Sequence, residues 1–284
     1  MLKKIFFAAA LLLASELIAK PVVIASIAPV EYLAKAVGGD KIEVQSLAKG
    51  DVHSYEPKPN DMKAVAKARI FIAAGLEFEE AWIPRFKASA KNLVVVQSDA
   101  KIAKLKEERG EQAEHDEKHE SHADPHVWLN PMLAITMARN ISDALIDMDK
   151  ANKDFYLENF QKLMNDLLAF DESAKNELAG LKNRKFVVYH PAWGYFAAHY
   201  DLEQISIERS GKEPKIDEMA STLKMIKDEN IKVIFADPNR SQKSAQILAS
   251  QTGAKVELLD PLGYNLLENL KIAVGAIKDA NSPK

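Results

Sequence analysis

Eight short apolar runs, rich in β-branched residues and separated by stretches with helical spacing, mark this chain as α/β. Val22 to Ser26, Ile42 to Ser46, Ile70 to Ala73 and Leu93 to Val96 form one group, and Phe186 to Tyr189, Gln204 to Ile207, Lys232 to Phe235 and Val256 to Leu259 form another. Strands alternating with helices predict βαβ units. Four runs and four runs predict two similar lobes, each a four-stranded, mainly parallel sheet flanked by helices. Between the groups, Tyr156, Phe160, Leu163, Leu167 and Phe170 recur at steps of four and three, an apolar stripe on one face of a long helix that ends near Gly180. The pattern divides the chain into an N-terminal lobe over 20–145, a connecting helix over 146–181 and a C-terminal lobe over 182–284. A rigid helical connector restrains the lobes where a Gly/Ser linker would not, so only small movements between them are expected.

Two segments break the pattern. Lys3 and Lys4 precede an apolar run from Ile5 to Ala14, followed by Leu17-Ile18-Ala19, which has the form of a secretory signal (1–19) cleaved after Ala19. That run is too short to cross a bilayer core of about 30 Å as a helix. Lys104 to Ala123 has no large apolar residue between Leu105 and Val127, and such a composition buries too little surface to order itself. It is expected to be a mobile acidic loop. His115, His119 and His122 lie in it among carboxylates, as a weak auxiliary metal site or as incidental residues of a solvated loop.

Composition narrows the function classes. With 47% hydrophobic and 28% charged residues the chain is globular, and a net charge of −3, which becomes −4 once Lys3, Lys4 and Glu16 leave with the signal, offers nucleic acid no footprint. Cysteine is absent, which excludes disulfides, thiolate ligands and a lipid-bearing cysteine at the cleavage point. An exported chain without an anchor is best retained by a periplasm.

Three histidines then stand out by their settings. His53 lies in Gly50-Asp51-Val52-His53-Ser54-Tyr55-Glu56-Pro57, His126 in Asp124-Pro125-His126-Val127-Trp128-Leu129-Asn130-Pro131, and His190 in Tyr189-His190-Pro191-Ala192-Trp193-Gly194-Tyr195-Phe196. Any one alone reads best as a loop or core histidine. Three in similar loop chemistry suggest a transition-metal site, and imidazoles completed by an oxygen ligand favour tetrahedral zinc. Imidazoles of ordinary pKa, about 6.5, imply that affinity falls below about pH 6. Tyr55, Trp128, Trp193 and Tyr195 flank these positions, as shields of the site or as core. His199 has no motif of its own and reads as structural.

These motifs resemble the metal-binding substrate-binding proteins of ABC importers, and among them the zinc-specific ZnuA-type group, over nearly the whole mature chain. The resemblance implies that His53, His126 and His190 are ligands. It rests most on Asp124, Pro125, His126, Trp128, Leu129 and Pro131, while Val52 departs from the proline that many relatives carry before the first histidine. It implies His at the third position for zinc, where manganese-type relatives carry Glu. Asp260, in Leu259-Asp260-Pro261, matches the family's C-terminal aspartate, so the fourth ligand is Asp260 or water. Asp237 also follows a strand, with a capping role expected for it. The resemblance implies a periplasmic monomer that captures Zn²⁺ as cargo and delivers it to a membrane ABC permease, without a direct membrane anchor and without enzymatic activity. The competing expectations are a receptor for Mn²⁺, a zinc hydrolase using an open coordination position, and a surface adhesin on the same fold.

Overall fold

The computed structural model describes residues 19–106, 123–208 and 216–281. The expected signal up to residue 18 and residues 107–122, with His115, His119 and His122, lie outside the described residues.

Two parallel four-stranded sheets form, and each strand falls within one residue of a run seen in the sequence. The first sheet comprises β1 (Val22–Ala25), β2 (Glu43–Ser46), β3 (Ile70–Ala73) and β4 (Val94–Gln97), in the order β2-β1-β3-β4. The second comprises β5 (Lys185–Val188), β6 (Glu203–Ser206), β7 (Val233–Ala236) and β8 (Lys255–Leu258), in the equivalent order β6-β5-β7-β8. The middle strands β3 and β7, Ile-Phe-Ile-Ala and Val-Ile-Phe-Ala, are buried throughout, as strands covered by helices on both faces must be. The outer strands are more exposed, with Val94 and Leu258 open to solvent.

Alternation along the strands assigns each residue to a core. Val23, Ala25, Ile70 and Ile72 from the first sheet join Phe186, Val188, Val233 and Phe235 from the second in one continuous apolar cluster. Their neighbours Ile24, Phe71 and Ala73, and Val187, Ile234 and Ala236, point the other way into two separate outer clusters. The inner faces of both sheets therefore share a single core.

Helices fill the space between. In the first half, α1 (Ala28–Gly38), α2 (Pro59–Val65) and α3 (Glu77–Ser89) alternate with the strands, and α4 (Pro131–Met148) follows them. Next comes α5 (Lys153–Ala179), capped by Gly180, with Tyr156, Phe160, Leu163, Leu167 and Phe170 all buried on its inner face. At 27 residues it is about 40 Å long. The helical spacing over 146–181 thus spans two elements, since residues 146–148 close α4 and a 3₁₀ turn over Lys150–Asn152 intervenes. The second half adds α6 (Gly194–His199), α7 (Ile216–Asp228), α8 (Lys243–Thr252) and α9 (Leu266–Asn281). Helix α5 packs on α1 and α4 from the first half and on α9 from the second, and α9 also meets β5. His199 closes a further strut, with Nε2 2.6 Å from Asp171 Oδ1 on α5, the structural role expected of it.

Candidate metal centre

The three histidines reach one place from three loops. His53 follows β2 in a turn that opens at Gly50, whose φ of +86° favours glycine. Asp51 Oδ1 accepts from the His53 backbone N–H at 3.1 Å and its Oδ2 from the Ser54 hydroxyl at 3.2 Å, while Val52 is buried in the shared core. An apolar anchor thus precedes the histidine here. His190 lies two residues beyond β5, at the carboxyl end of a middle strand, where parallel sheets place binding residues.

His126 is held by its own motif, residue by residue. Asp124 Oδ1 accepts from the His126 backbone N–H at 2.9 Å and lies 2.8 Å from its Nδ1. Trp128, fully buried, donates its Nε1–H to the Pro261 carbonyl at 2.8 Å, tying this loop to the second lobe. Asn130 caps α4 by accepting from the Met132 and Leu133 N–H groups, and Pro131 takes the first helical position. Tyr195 donates its hydroxyl to the Asp124 carbonyl and accepts from Leu105 N–H, each at 2.8 Å. Of the four flanking aromatics, Trp128 packs against a candidate ligand, its ring tilted at 58° to that of His126 with the centroids 5.3 Å apart. Tyr55 packs edge-on against Phe78 and Trp193 against Phe196.

One nitrogen from each of His53, His126 and His190 lies within 4.8 Å of the others. The Nε2 atoms of His53 and His190 are 3.2 Å apart. Two imidazole nitrogens at zinc bond lengths and a tetrahedral angle are about 3.3 Å apart, so these rings already stand at a spacing that one ion can bridge. The carboxylate of Asp124 on His126 Nδ1 and that of Glu208 3.1 Å from His190 Nδ1 leave the Nε2 lone pairs for the ion whenever Nδ1 carries the proton. Asp260 does not join the close set. Its Oδ1 accepts from Asn239 Nδ2 and Leu262 N–H, both at 2.9 Å. Asp237 accepts from the Asn239 N–H at 2.7 Å and so closes a turn after β7, whereas α8 starts only at Lys243 with no side-chain cap.

Glu208 and Arg240 escaped the sequence reading. Glu208 is 2% exposed, and its Oε1 accepts from Arg240 Nη2 at 2.8 Å. Both residues follow strands, but only the order β6-β5-β7 puts them on either side of His190.

The surroundings of His53 and His190 favour their neutral forms. Although His53 is exposed as a whole residue, burial of its inner end, then His126 and the Arg240 charge, push it down to about 4, against the pull of Asp51 and Asp124. Burial, then His126, Arg240 and His53, push His190 well below 6.5. Proton competition at these two rings therefore begins at lower pH than ordinary imidazoles imply. In the metal-free protein the unfolded chain binds protons at the His53 and His190 rings first, so stability is full above pH 6.5 and falls as pH drops toward about 4. Thermal midpoints measured from pH 7 to pH 5 should fall more steeply for the wild type than for a His53, His126 and His190 triple alanine variant; equal slopes would contradict this.

Known proteins resemble this chain over most of its length. The profile of the family described as zinc-uptake complex component A, periplasmic (ZnuA), matches residues 23–280. The high-affinity zinc uptake system protein ZnuA of Bacillus subtilis (strain 168) is 30% identical over 279 residues, covering 91% of this chain and 86% of that protein. A putative metal-binding protein of Treponema pallidum (strain Nichols) is 34% identical over 243 residues, covering 82% and 77%. A crystal structure of ZnuA superposes with a TM-score of 0.87 at 35% identity, over 93% of this chain and all of the other.

Proposed function

We propose, from the premise that this chain belongs to the periplasmic zinc-uptake component A (ZnuA) family, that it captures Zn²⁺ in the periplasm and delivers it to an ABC permease, performing no chemistry on its cargo. The observation that carries this reading is the convergence of three imidazole nitrogens from separate loops within 4.8 Å. A nitrogen-rich set suits zinc, whereas Mn²⁺ prefers carboxylate, carbonyl and water oxygens. The expected signal over 1–19 supports export, and among the described residues no helix is long and apolar enough to cross a membrane. In cells lacking this chain, growth under metal limitation should be restored by added Zn²⁺ and not by Mn²⁺; restoration by Mn²⁺ alone would reverse the cargo assignment.

His53, His126 and His190 serve as ligands, with Asp260 or water in the fourth position. Asp260→Asn separates the two. If the carboxylate binds directly, zinc affinity should fall by more than about 100-fold, beyond the 10–100-fold typical of groups outside the coordination shell. An unchanged affinity assigns the position to water.

A further inference from the structure

His190 Nδ1 has two neighbours that make opposite demands on it. Glu208 Oε2, at 3.1 Å, is a carboxylate oxygen that accepts, and Arg240 Nη1, at 2.8 Å, only donates. A neutral imidazole has one N–H and one lone pair, so Nδ1 serves one neighbour at a time and Nε2 takes the complementary form. With Nδ1–H donating to Glu208, Nε2 has a lone pair for an ion, but the Arg240 N–H faces another N–H. With Nδ1 accepting from Arg240, Nε2–H donates to His53 Nε2 at 3.2 Å and cannot bind metal, while Glu208 Oε2 faces a lone pair. Each arrangement leaves one contact opposed. The second bond from Arg240, Nη2 to Glu208 Oε1 at 2.8 Å, pins the guanidinium in place, and the strand order β6-β5-β7 fixes the three loops side by side.

We propose that Arg240 is a positioning residue for metal release: it holds metal-free His190 in the tautomer that cannot ligate, while Glu208 holds the ligating one. This rests on the zinc site proposed above. The ring keeps one proton throughout. On loading, that proton leaves Nε2 for solvent and another arrives on Nδ1, with no net change at His190; on unloading, Nδ1 gives its proton to solvent and accepts from Arg240 Nη1 while Nε2 takes a proton from solvent, again with no net change. The ion therefore binds against a ready competitor, which weakens affinity and speeds dissociation, as suits a receptor that must give up its cargo.

The test is a long-range ¹⁵N–¹H correlation spectrum of the full mature protein, combined with zinc titrations of two variants. Metal-free wild type should show His190 protonated on Nε2, and the zinc-loaded protein should show it protonated on Nδ1. Arg240→Met should move the metal-free ring to the Nδ1–H form and tighten zinc binding about tenfold through slower dissociation, whereas Glu208→Gln should weaken binding about tenfold. Opposite signs exclude an ion pair that merely supports the loop, and the Nε2–H ring of the metal-free wild type, moved to Nδ1–H by Arg240→Met, separates the tautomer from the charge of Arg240 acting on the ion directly. Weaker binding in both variants, or an Nδ1–H ring in metal-free wild type, overturns the proposal. A wild type in which zinc leaves the His190 spectrum unchanged would instead defeat the site assignment itself.

Discussion

Replacing His126 by alanine is expected to weaken zinc binding by more than about 100-fold, equivalent to about 2.7 kcal/mol or more. The loss has two parts. One of three imidazole nitrogens disappears from a set whose members lie within 4.8 Å, and the carboxylate of Asp124, 6% exposed, loses the ring that it orients. Asp51, held in its own turn, and Glu208, paired with Arg240, are already engaged and do not replace the lost nitrogen. His199→Ala is the matched control, since that ring bonds Asp171 on α5 and should leave affinity unchanged. Competition against a chelator of known affinity measures both, and a His126→Ala protein within about threefold of wild type would remove His126 from the ligand set.

The largest loss of stability is expected from Trp128→Ala, about 3–5 kcal/mol. Trp128 is wholly buried in the core shared by both sheets, so truncation opens a large cavity where neither lobe can collapse independently. It also removes the Nε1–H that satisfies the Pro261 carbonyl across the lobes, leaving a buried acceptor unpaired. Trp128→Phe keeps most of the volume and loses that bond, so it should lie between the two. Urea unfolding of the metal-free proteins gives the order; a Trp128→Ala loss below about 1 kcal/mol would contradict a shared core.

Much of the architecture was legible because it rests on period and chemistry that the chain carries locally. Short apolar runs rich in β-branched residues, such as Ile70 to Ala73, read as strands covered on both faces, and the stripe from Tyr156 to Phe170 identifies the long helix and its buried side. The three histidines were legible because each sits in a distinctive loop. What the sequence withheld depends on spatial order. Nothing along the chain reveals that β6 and β7 flank β5, so the carboxylate and guanidinium that meet at His190 could not be paired in advance. The break between α4 and α5 was missed because the stripe that marks α5 begins at Tyr156, beyond the 3₁₀ turn over Lys150–Asn152, and says nothing of where the helix starts. Asp260 was legible as a strand-end aspartate, yet its bonds to Asn239 and Leu262 depend on how two loops fold against each other.

The central claim is that one zinc ion is held by His53, His126 and His190 together. Its most direct test is titration of metal-stripped residues 20–284 with Zn²⁺ and Mn²⁺ against a competing chelator, for wild type and the triple alanine variant. One tight zinc equivalent in the wild type, absent from the variant and accompanied by much weaker manganese binding, is the predicted result. Tight zinc binding that survives the triple substitution, or a wild-type preference for manganese, would contradict it.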